Sequence, residues 1–154
     1  MRVDQIKKDI GSKVKIGLDA SGEDVKELFK NVLYNDYYGA YEPEIYDRKE
    51  QIQNAIDKTS AVSHGSGGSV KVYYDSGKMS HPNPDDYGQN GEHLNVGYSE
   101  EEILDAVMWG YHMVGMTGRG ALTANTWFRT LAEFDKQKHV IIPKELRAAG
   151  LPIH

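Results

Sequence analysis

The stretch VKELFKNVLYNDY, residues 25–37, decides the fold class of this chain. Its apolar residues recur at positions 25, 28, 29, 32, 33 and 37, which fall on one face of an α-helix. Ser21 can cap the start of this helix, and Gly39 can end it. The spacing therefore predicts an amphipathic helix over residues 22–38.

Helical spacing recurs on both sides of the middle of the chain. One face of a second helix, over residues 44–58, carries Ile45, Ile52, Ala55 and Ile56. One face of a third helix, over residues 125–138, carries Trp127, Phe128, Leu131 and Phe134. Ser99 and Glu102 form a capping box, which predicts a further helix start there.

The N-terminal residues leave two interpretations open. Apolar residues have helical spacing up to Ile10, whereas Val14, Ile16 and Leu18 alternate with polar residues or glycine. The alternating piece is either a strand or the continuation of a helix.

Strand signals lie in the middle of the chain. Val70, Val72 and Tyr74 alternate in a way that predicts a half-buried strand over residues 70–75, and residues 93–98 are a second candidate strand. The grouping of strands in the middle and helices at both ends predicts an α+β fold. In this fold, a small, mainly antiparallel sheet has the helices packed on one face.

The chain is predicted to form a single domain over residues 1–154. The Ser/Gly-rich residues 60–69 and the proline-containing residues 79–92 are expected to be mobile loops. The residues from Pro143 onward are expected to form a C-terminal arm.

The composition excludes several classes of site. The sequence has no cysteine, so it has no disulfide framework, thiolate zinc site, iron–sulfur cluster or cysteine nucleophile. The formal net charge of −5 argues against broad nucleic-acid binding. No apolar run approaches the ~20 residues of a membrane span, and the charged N-terminus lacks the apolar core of an export signal.

The sequence supports no catalytic, cofactor-binding or metal-binding assignment. The strongest enzymatic alternative is a metal-dependent hydrolase or nuclease that uses the loop residues His81, Asp85, Asp86 and His93. Residues 115–120 lack the lysine of a phosphate-binding Walker loop. We therefore expect no enzyme activity, no cofactor and no small-molecule substrate.

Two features of the sequence suit contacts between proteins. Residues 75–105 carry eight acidic residues and one basic residue, whereas residues 119–154 carry six basic and three acidic residues. Such opposed charge permits head-to-tail association, although each stretch alone is also typical of a solvated surface. Five tyrosines cluster between Tyr34 and Tyr46, on either a half-buried helix surface or an intermolecular contact.

The order of the motifs resembles a known family. YDRKEQIQNAI precedes the strand SVKVYYD, AVMWGYH precedes a glycine-rich loop, and TANTWFRTLAEF follows. Across residues 25–138 this resembles the small head–tail joining and tail-completion proteins of tailed bacteriophages and prophages. Four residues keep the spacing of the family's Tyr-x-Arg-Thr-Gly-x-Leu-x-x-Ser-Ile motif: Tyr46, Arg48, Ile52 and Ile56. Lys49-Glu50 stands in place of its Thr-Gly, and Ala55 in place of its serine.

The resemblance implies a structural virion protein that is made in the host bacterial cytoplasm. Its copies would form a ring, with sixfold symmetry, at the head–tail junction or tail-tube end. Its partners would be other neck and tail proteins, with no membrane and no nucleic acid except DNA passing through the ring. A third possibility is a small intracellular binding protein or inhibitor made by a mobile element.

Overall fold

The computed structural model describes residues 2–35, 51–65, 67–78, 101, 108 and 126–153. The chain divides into two compact units. The first unit comprises residues 1–29, 57–73 and 132–154, and the second comprises residues 30–56 and 74–131.

Helices and short strands make up the described residues. The long helices are α1 (Val3–Leu33) and α2 (Thr126–Ala148), and short 3-10 helices span Gln51–Ala55 and Ser76–Lys78. The strands are β1 (Ile56–Lys58), β2 (Val62–His64), β3 (Gly67–Ser69) and β4 (Val72–Tyr74). They form two two-stranded sheets, β1 with β4 and β2 with β3. Helices packed with small antiparallel sheets confirm the predicted α+β fold class.

α1 begins at Val3, much earlier than the predicted residue 22. It therefore includes Val14, Ile16 and Leu18, for which the sequence allowed either a strand or the continuation of a helix. The buried residues Val14, Gly17, Ser21 and Val25 continue a single face at helical spacing, which explains why the helix is unbroken. Ser21 therefore lies inside the helix, and its hydroxyl donates a hydrogen bond to the Gly17 carbonyl at 2.8 Å instead of capping.

The prediction of a helix over residues 44–58 is wrong for residues 51–58, which are the described part of this stretch. Residues 51–55 form a 3-10 helix, and residues 56–58 form β1. Ala55 and Ile56 are buried, as the helical pattern required, but they are buried at the start of a strand. Because a short apolar pattern is compatible with either structure, pairing with β4 decides the outcome.

Two backbone hydrogen bonds fix the register of β1 and β4. The Thr59 N–H donates to the Lys71 carbonyl at 2.8 Å, and the Asp75 N–H donates to the Ala55 carbonyl at 2.7 Å. The partner numbers fall on one strand as they rise on the other, so the pair is antiparallel. β4 confirms the strand predicted over residues 70–75, while the candidate strand 93–98 lies outside the described residues.

Residues 60–69, predicted as a loop, contain the β2–β3 hairpin. Its register pairs Val62 with Ser69 and His64 with Gly67. Gly65 lies in the connecting turn with a φ of 64°, in the left-handed region that glycine adopts without strain. The other predicted loop, residues 79–92, lies outside the described residues.

α2 extends beyond its predicted end at residue 138, through Pro143 to Ala148, so the expected arm from residue 143 is helical at first. It then ends in a Schellman motif. The Leu151 N–H donates to the Leu146 carbonyl at 3.1 Å, and the Gly150 N–H donates to the Arg147 carbonyl at 2.9 Å. Gly150 has the required positive φ, 86°.

The first unit depends on a close approach of α1 and α2 at Gly17. A Cβ atom at this position would lie 2.8 Å from Leu146 Cδ2, 2.9 Å from Leu146 Cα and 3.1 Å from the Glu145 carbonyl oxygen. Only a residue without a side chain lets the two backbones come this close.

The second unit has its own buried residues. Leu33, Thr126 and Thr130 are fully buried. Tyr74 packs edge-on against Trp127 with ring centroids 5.9 Å apart, a favourable aromatic arrangement. Burial raises the pKa of the Tyr74 hydroxyl to about 12, so this group stays protonated at neutral pH.

We expect Gly17→Ala to lower the free energy of unfolding by about 1–3 kcal/mol, because the new methyl group overlaps the α2 backbone. The matched control is Gly11→Ala in the same helix. There a Cβ would lie at ordinary contact distances of 3.5 Å from Ser63 Oγ and 3.6 Å from the Gly65 carbonyl. This variant should gain about 0.5–1 kcal/mol from helix propensity.

Urea denaturation followed by circular dichroism measures both changes. Equal stabilisation by the two substitutions would show that α1 and α2 do not meet closely at Gly17.

Candidate functional site

The residues that the sequence offered for an enzymatic metal site are not among the described residues. His81, Asp85, Asp86 and His93 lie outside the described residues. Among the residues that are described, no group of three or more His, Cys, Asp or Glu side chains could hold a metal ion.

The first unit contains an open groove of about 410 Å³ between α1, β3 and the C-terminal segment. α1 supplies Ile10, Val14 and Leu18, which are four residues apart and so lie on one face of the helix. β3 supplies Gly67 and Gly68, whose backbone forms a wall without side chains.

The end of α2 and the residues after it form the remaining wall of the groove. This wall consists of Leu146, Leu151, Pro152 and Ile153. Leu146 and Leu151 are joined by the Schellman hydrogen bond, and an apolar contact between these two positions commonly accompanies that motif. The helix cap thus directs the last described residues of the chain along the groove.

The chemistry of this groove is that of a binding surface for apolar groups. The described lining consists of aliphatic side chains, one proline and two glycines. Burying apolar surface against such a lining contributes roughly 25 cal/mol per Å², whereas orientation by hydrogen bonds would have to come from backbone groups. Such a lining can accommodate aliphatic groups.

Hydrogen bonds and ion pairs connect α1 to the segment that contains β1 and β2. We call the side chains of Lys15, Asp19, Glu23 and Lys58 the Asp19 cluster. Asp19 accepts a hydrogen bond from the Ala61 N–H at 2.6 Å and lies 3.1 Å from Lys15 Nζ. Lys58 Nζ lies 3.6 Å from Asp19 and 3.3 Å from Glu23. The Ala61 N–H, followed by Lys15 and Lys58, lowers the pKa of the Asp19 carboxyl below its usual 3.8.

An ion pair also joins the two helices of the first unit. Lys144 Nζ on α2 lies 3.1 Å from the Asp24 carboxylate on α1 and 2.8 Å from Glu145. Glu145 and then Asp24 raise the pKa of the exposed Lys144 ammonium group. Exposed pairs of this kind contribute little individually, so the pair supports the packing at Gly17 without replacing it.

Residues 119–154 are rich in basic side chains, and in the described part of this stretch some of these side chains form ion pairs with acidic residues. On α2, Lys138 pairs with Asp135, and Lys136 Nζ lies 3.2 Å from Glu133. Of the tyrosine cluster only Tyr34 is described, and its side chain is exposed. None of the described helices is long and apolar enough to cross a membrane.

Comparison with known proteins places this chain in a class of phage or prophage origin. A family model described as YomN matches residues 2–141, and the chain therefore belongs to the YomN family. No curated protein and no solved structure matched the chain. The resemblance to phage proteins is thus confirmed at the level of phage association.

Sequence reasoning missed the groove, because its walls come from parts of the chain far apart in sequence. One signal was available: Gly150 followed by Pro152 after a helical run is typical of a helix end. With this signal, the helix would have been predicted to continue past Pro143, and Leu151 would have been expected beside Leu146.

We expect Asp19→Ala to destabilise the protein by about 1–3 kcal/mol, because it removes the acceptor of the partly buried Ala61 N–H. The matched control is Asp9→Ala on the same helix. This substitution removes only the exposed pair with Lys13, 3.0 Å away, and should cost about 0.5 kcal/mol or less. Thermal or urea denaturation near neutral pH measures both values.

The pH dependence of the same two variants provides a second measurement. Because folding lowers the pKa of Asp19, its contribution to stability is present above pH 3.8 and is lost as the pH falls through the lower folded value. Asp19→Ala should therefore lose less stability than the wild type on acidification through this range. Parallel losses in both proteins would contradict the assigned role of Asp19.

Proposed function

We propose that this protein is a non-enzymatic structural component of a phage or prophage virion, located at the head–tail junction or the tail-tube end. Its copies associate into a ring, and its partners are other neck and tail proteins. Membership of a phage-associated family supports the virion setting. The resemblance of residues 25–138 to head–tail joining and tail-completion proteins supports the finer assignment.

The observation that carries this proposal is the aliphatic groove of the first unit. Assembly proteins bind each other through apolar side chains that enter such surfaces. Burying one Leu, Ile or Val side chain fully contributes about 1.5–3 kcal/mol, so a short segment of a neighbouring protein can bind here.

Ring formation requires a head-to-tail interface, in which different surfaces of successive copies meet. The acidic residues 75–105 and the basic residues 119–154 provide opposed charge on one chain for this purpose. Several basic side chains on α2 already have acidic partners in the same chain. The opposed charges therefore orient two copies as they approach each other, while the burial of apolar side chains supplies most of the affinity.

Ile153→Asp should impair assembly, because it places a charge in the groove. A loss of about 1.5–3 kcal/mol corresponds to partner binding weakened at least tenfold. The matched control is Val140→Asp, since Val140 is 66% exposed on α2 and does not line the groove.

The experiment deletes the gene from its phage or prophage, restores it with each variant and counts infectious particles, with electron microscopy of the products. We expect wild type and Val140→Asp to restore complete particles, and Ile153→Asp to leave heads and tails unjoined. Complete, infectious particles formed without the protein would contradict the virion role.

Association with itself or with tail-tube protein should weaken as salt rises past about 0.15 M, where the Debye length is ~8 Å. Light scattering across a salt series, alone and with the purified tail-tube protein, measures this effect. Association that strengthens or stays constant with salt would show that the opposed charges do not guide the contact.

A further inference from the structure

Among the described strands, β3 has a neighbour on one side only, because its sheet consists of β2 and β3 alone. The hairpin closes at His64 and Gly67, and this pair adjoins the turn, so it exchanges backbone hydrogen bonds. Hydrogen-bonded and non-hydrogen-bonded pairs alternate along an antiparallel ladder. The next pair, Ser63 and Gly68, is therefore not hydrogen-bonded, and the Gly68 N–H and C=O point away from β2.

This free edge of β3 faces the groove. β2 lies over Gly11, where a Cβ atom would be 3.5 Å from a β2 hydroxyl oxygen. β3 lies over Val14 and Leu18, whose side chains would be 3.2 Å and 2.8 Å from a Cβ atom at Gly68. α2 lies over Gly17, on the far side of Val14. The order around α1 is therefore β2, β3, the groove and α2.

Two polar groups thus lie in the wall of an otherwise aliphatic groove. Within the described part of the chain, the Gly68 N–H and C=O make no hydrogen bond. Gly68 is exposed and has no side chain that could cover them. A free strand edge of this kind pairs with another extended chain when a peptide binds by strand addition. The groove therefore offers hydrogen bonds to a peptide backbone and apolar contacts to its side chains.

A strand added beside β3 would run along α1. The chain from β3 onward follows this direction, since Gly68 lies over Val14 and Leu18, and Val70 lies 2.8 Å from the position of a Cβ atom at Gly22. Alternate side chains of an added strand would point toward α1, roughly 6.6 Å apart. Residues four apart on a helix rise by about 6 Å, so these side chains match the spacing of the groove floor, which consists of Ile10, Val14 and Leu18.

The size of the groove favours a short segment over a folded surface. Nine residues line it, whereas a standard interface between two folded proteins involves about 20–30 residues on each side. The area that a stable dimer of this chain would need is therefore larger than the groove provides.

We propose that an extended segment of a neighbouring protein binds in the groove as an added strand beside β3. The backbone of this segment pairs with the N–H and C=O of Gly68. Every second side chain of the segment is aliphatic and packs on the floor formed by α1. The inference rests on the proposed function of the groove as a binding surface, and it specifies the form that the partner takes there.

A short synthetic peptide in which valine alternates with threonine is the probe, and nuclear magnetic resonance of the full chain measures its binding. In the free protein, the Gly68 amide should exchange with solvent much faster than the Ser69 amide, which pairs with Val62. Saturating peptide should slow the exchange of Gly68 several-fold. An exchange rate of Gly68 that saturating peptide leaves unchanged would overturn the proposal.

A pair of variants locates the binding site on α1. Ile10→Asp places a charge on the groove floor and should weaken peptide binding about tenfold or more. The matched control is Ile16→Asp, because Ile16 is 61% exposed on the opposite side of the same helix and should leave binding unchanged. Circular dichroism verifies that both variants fold. Equal affinities of the two folded variants would contradict binding in the groove.

Modified peptides test the backbone pairing on the unaltered protein. Methylation of the valine nitrogens removes the N–H groups from one edge of the extended peptide, and methylation of the threonine nitrogens removes them from the other edge. Only the edge that faces β3 needs its N–H groups, so one methylated peptide should lose binding and the other should bind at least several-fold more tightly. Equal affinities of the two would show that the peptide does not bind as a strand.

These outcomes are independent of the test of the virion role. A peptide that does not bind the wild-type protein would overturn strand addition, whereas the particle counts would still decide the role in assembly. Infectious particles formed without the protein would contradict the virion role, whereas the exchange rate of Gly68 would still report strand addition.

Discussion

The close approach of α1 and α2 at Gly17 is the contact on which the described structure of the first unit depends. It brings the backbone at Leu146 against α1, with the Lys144–Asp24 ion pair nearby. Leu146 is also the residue whose carbonyl accepts the last hydrogen bond of the Schellman motif. The same contact therefore determines where α2 ends relative to α1 and where the C-terminal residues run.

The candidate binding surface follows from this arrangement. The groove exists because the C-terminal residues lie beside the aliphatic face of α1, while the Asp19 cluster holds the strands against the same helix. The lining of this surface is aliphatic, and the chain belongs to the phage-associated YomN family. The exposed residues Val3 and Ile6 extend the apolar face beyond the part that this chain covers in its described residues.

The sequence predicted those elements whose hydrophobic period is unambiguous. The helix through Val25 and Phe29 and the strand through Val72 follow patterns that only one structure satisfies. Residues 51–58 were misassigned because Ala55 and Ile56 fit a helix or a strand until β4 pairs with them. The groove could not be predicted, since it combines residues from Ile10 to Ile153 through packing that no local pattern encodes.

The most direct test of this account is a nuclear Overhauser spectrum of the protein with labelled leucine methyl groups. The account predicts a strong cross-peak between the α-protons of Gly17 and the methyl protons of Leu146, because a Cβ at Gly17 would overlap that methyl group. A spectrum with both residues assigned and no cross-peak between them would contradict the packing of α1 on α2, and with it the origin of the groove.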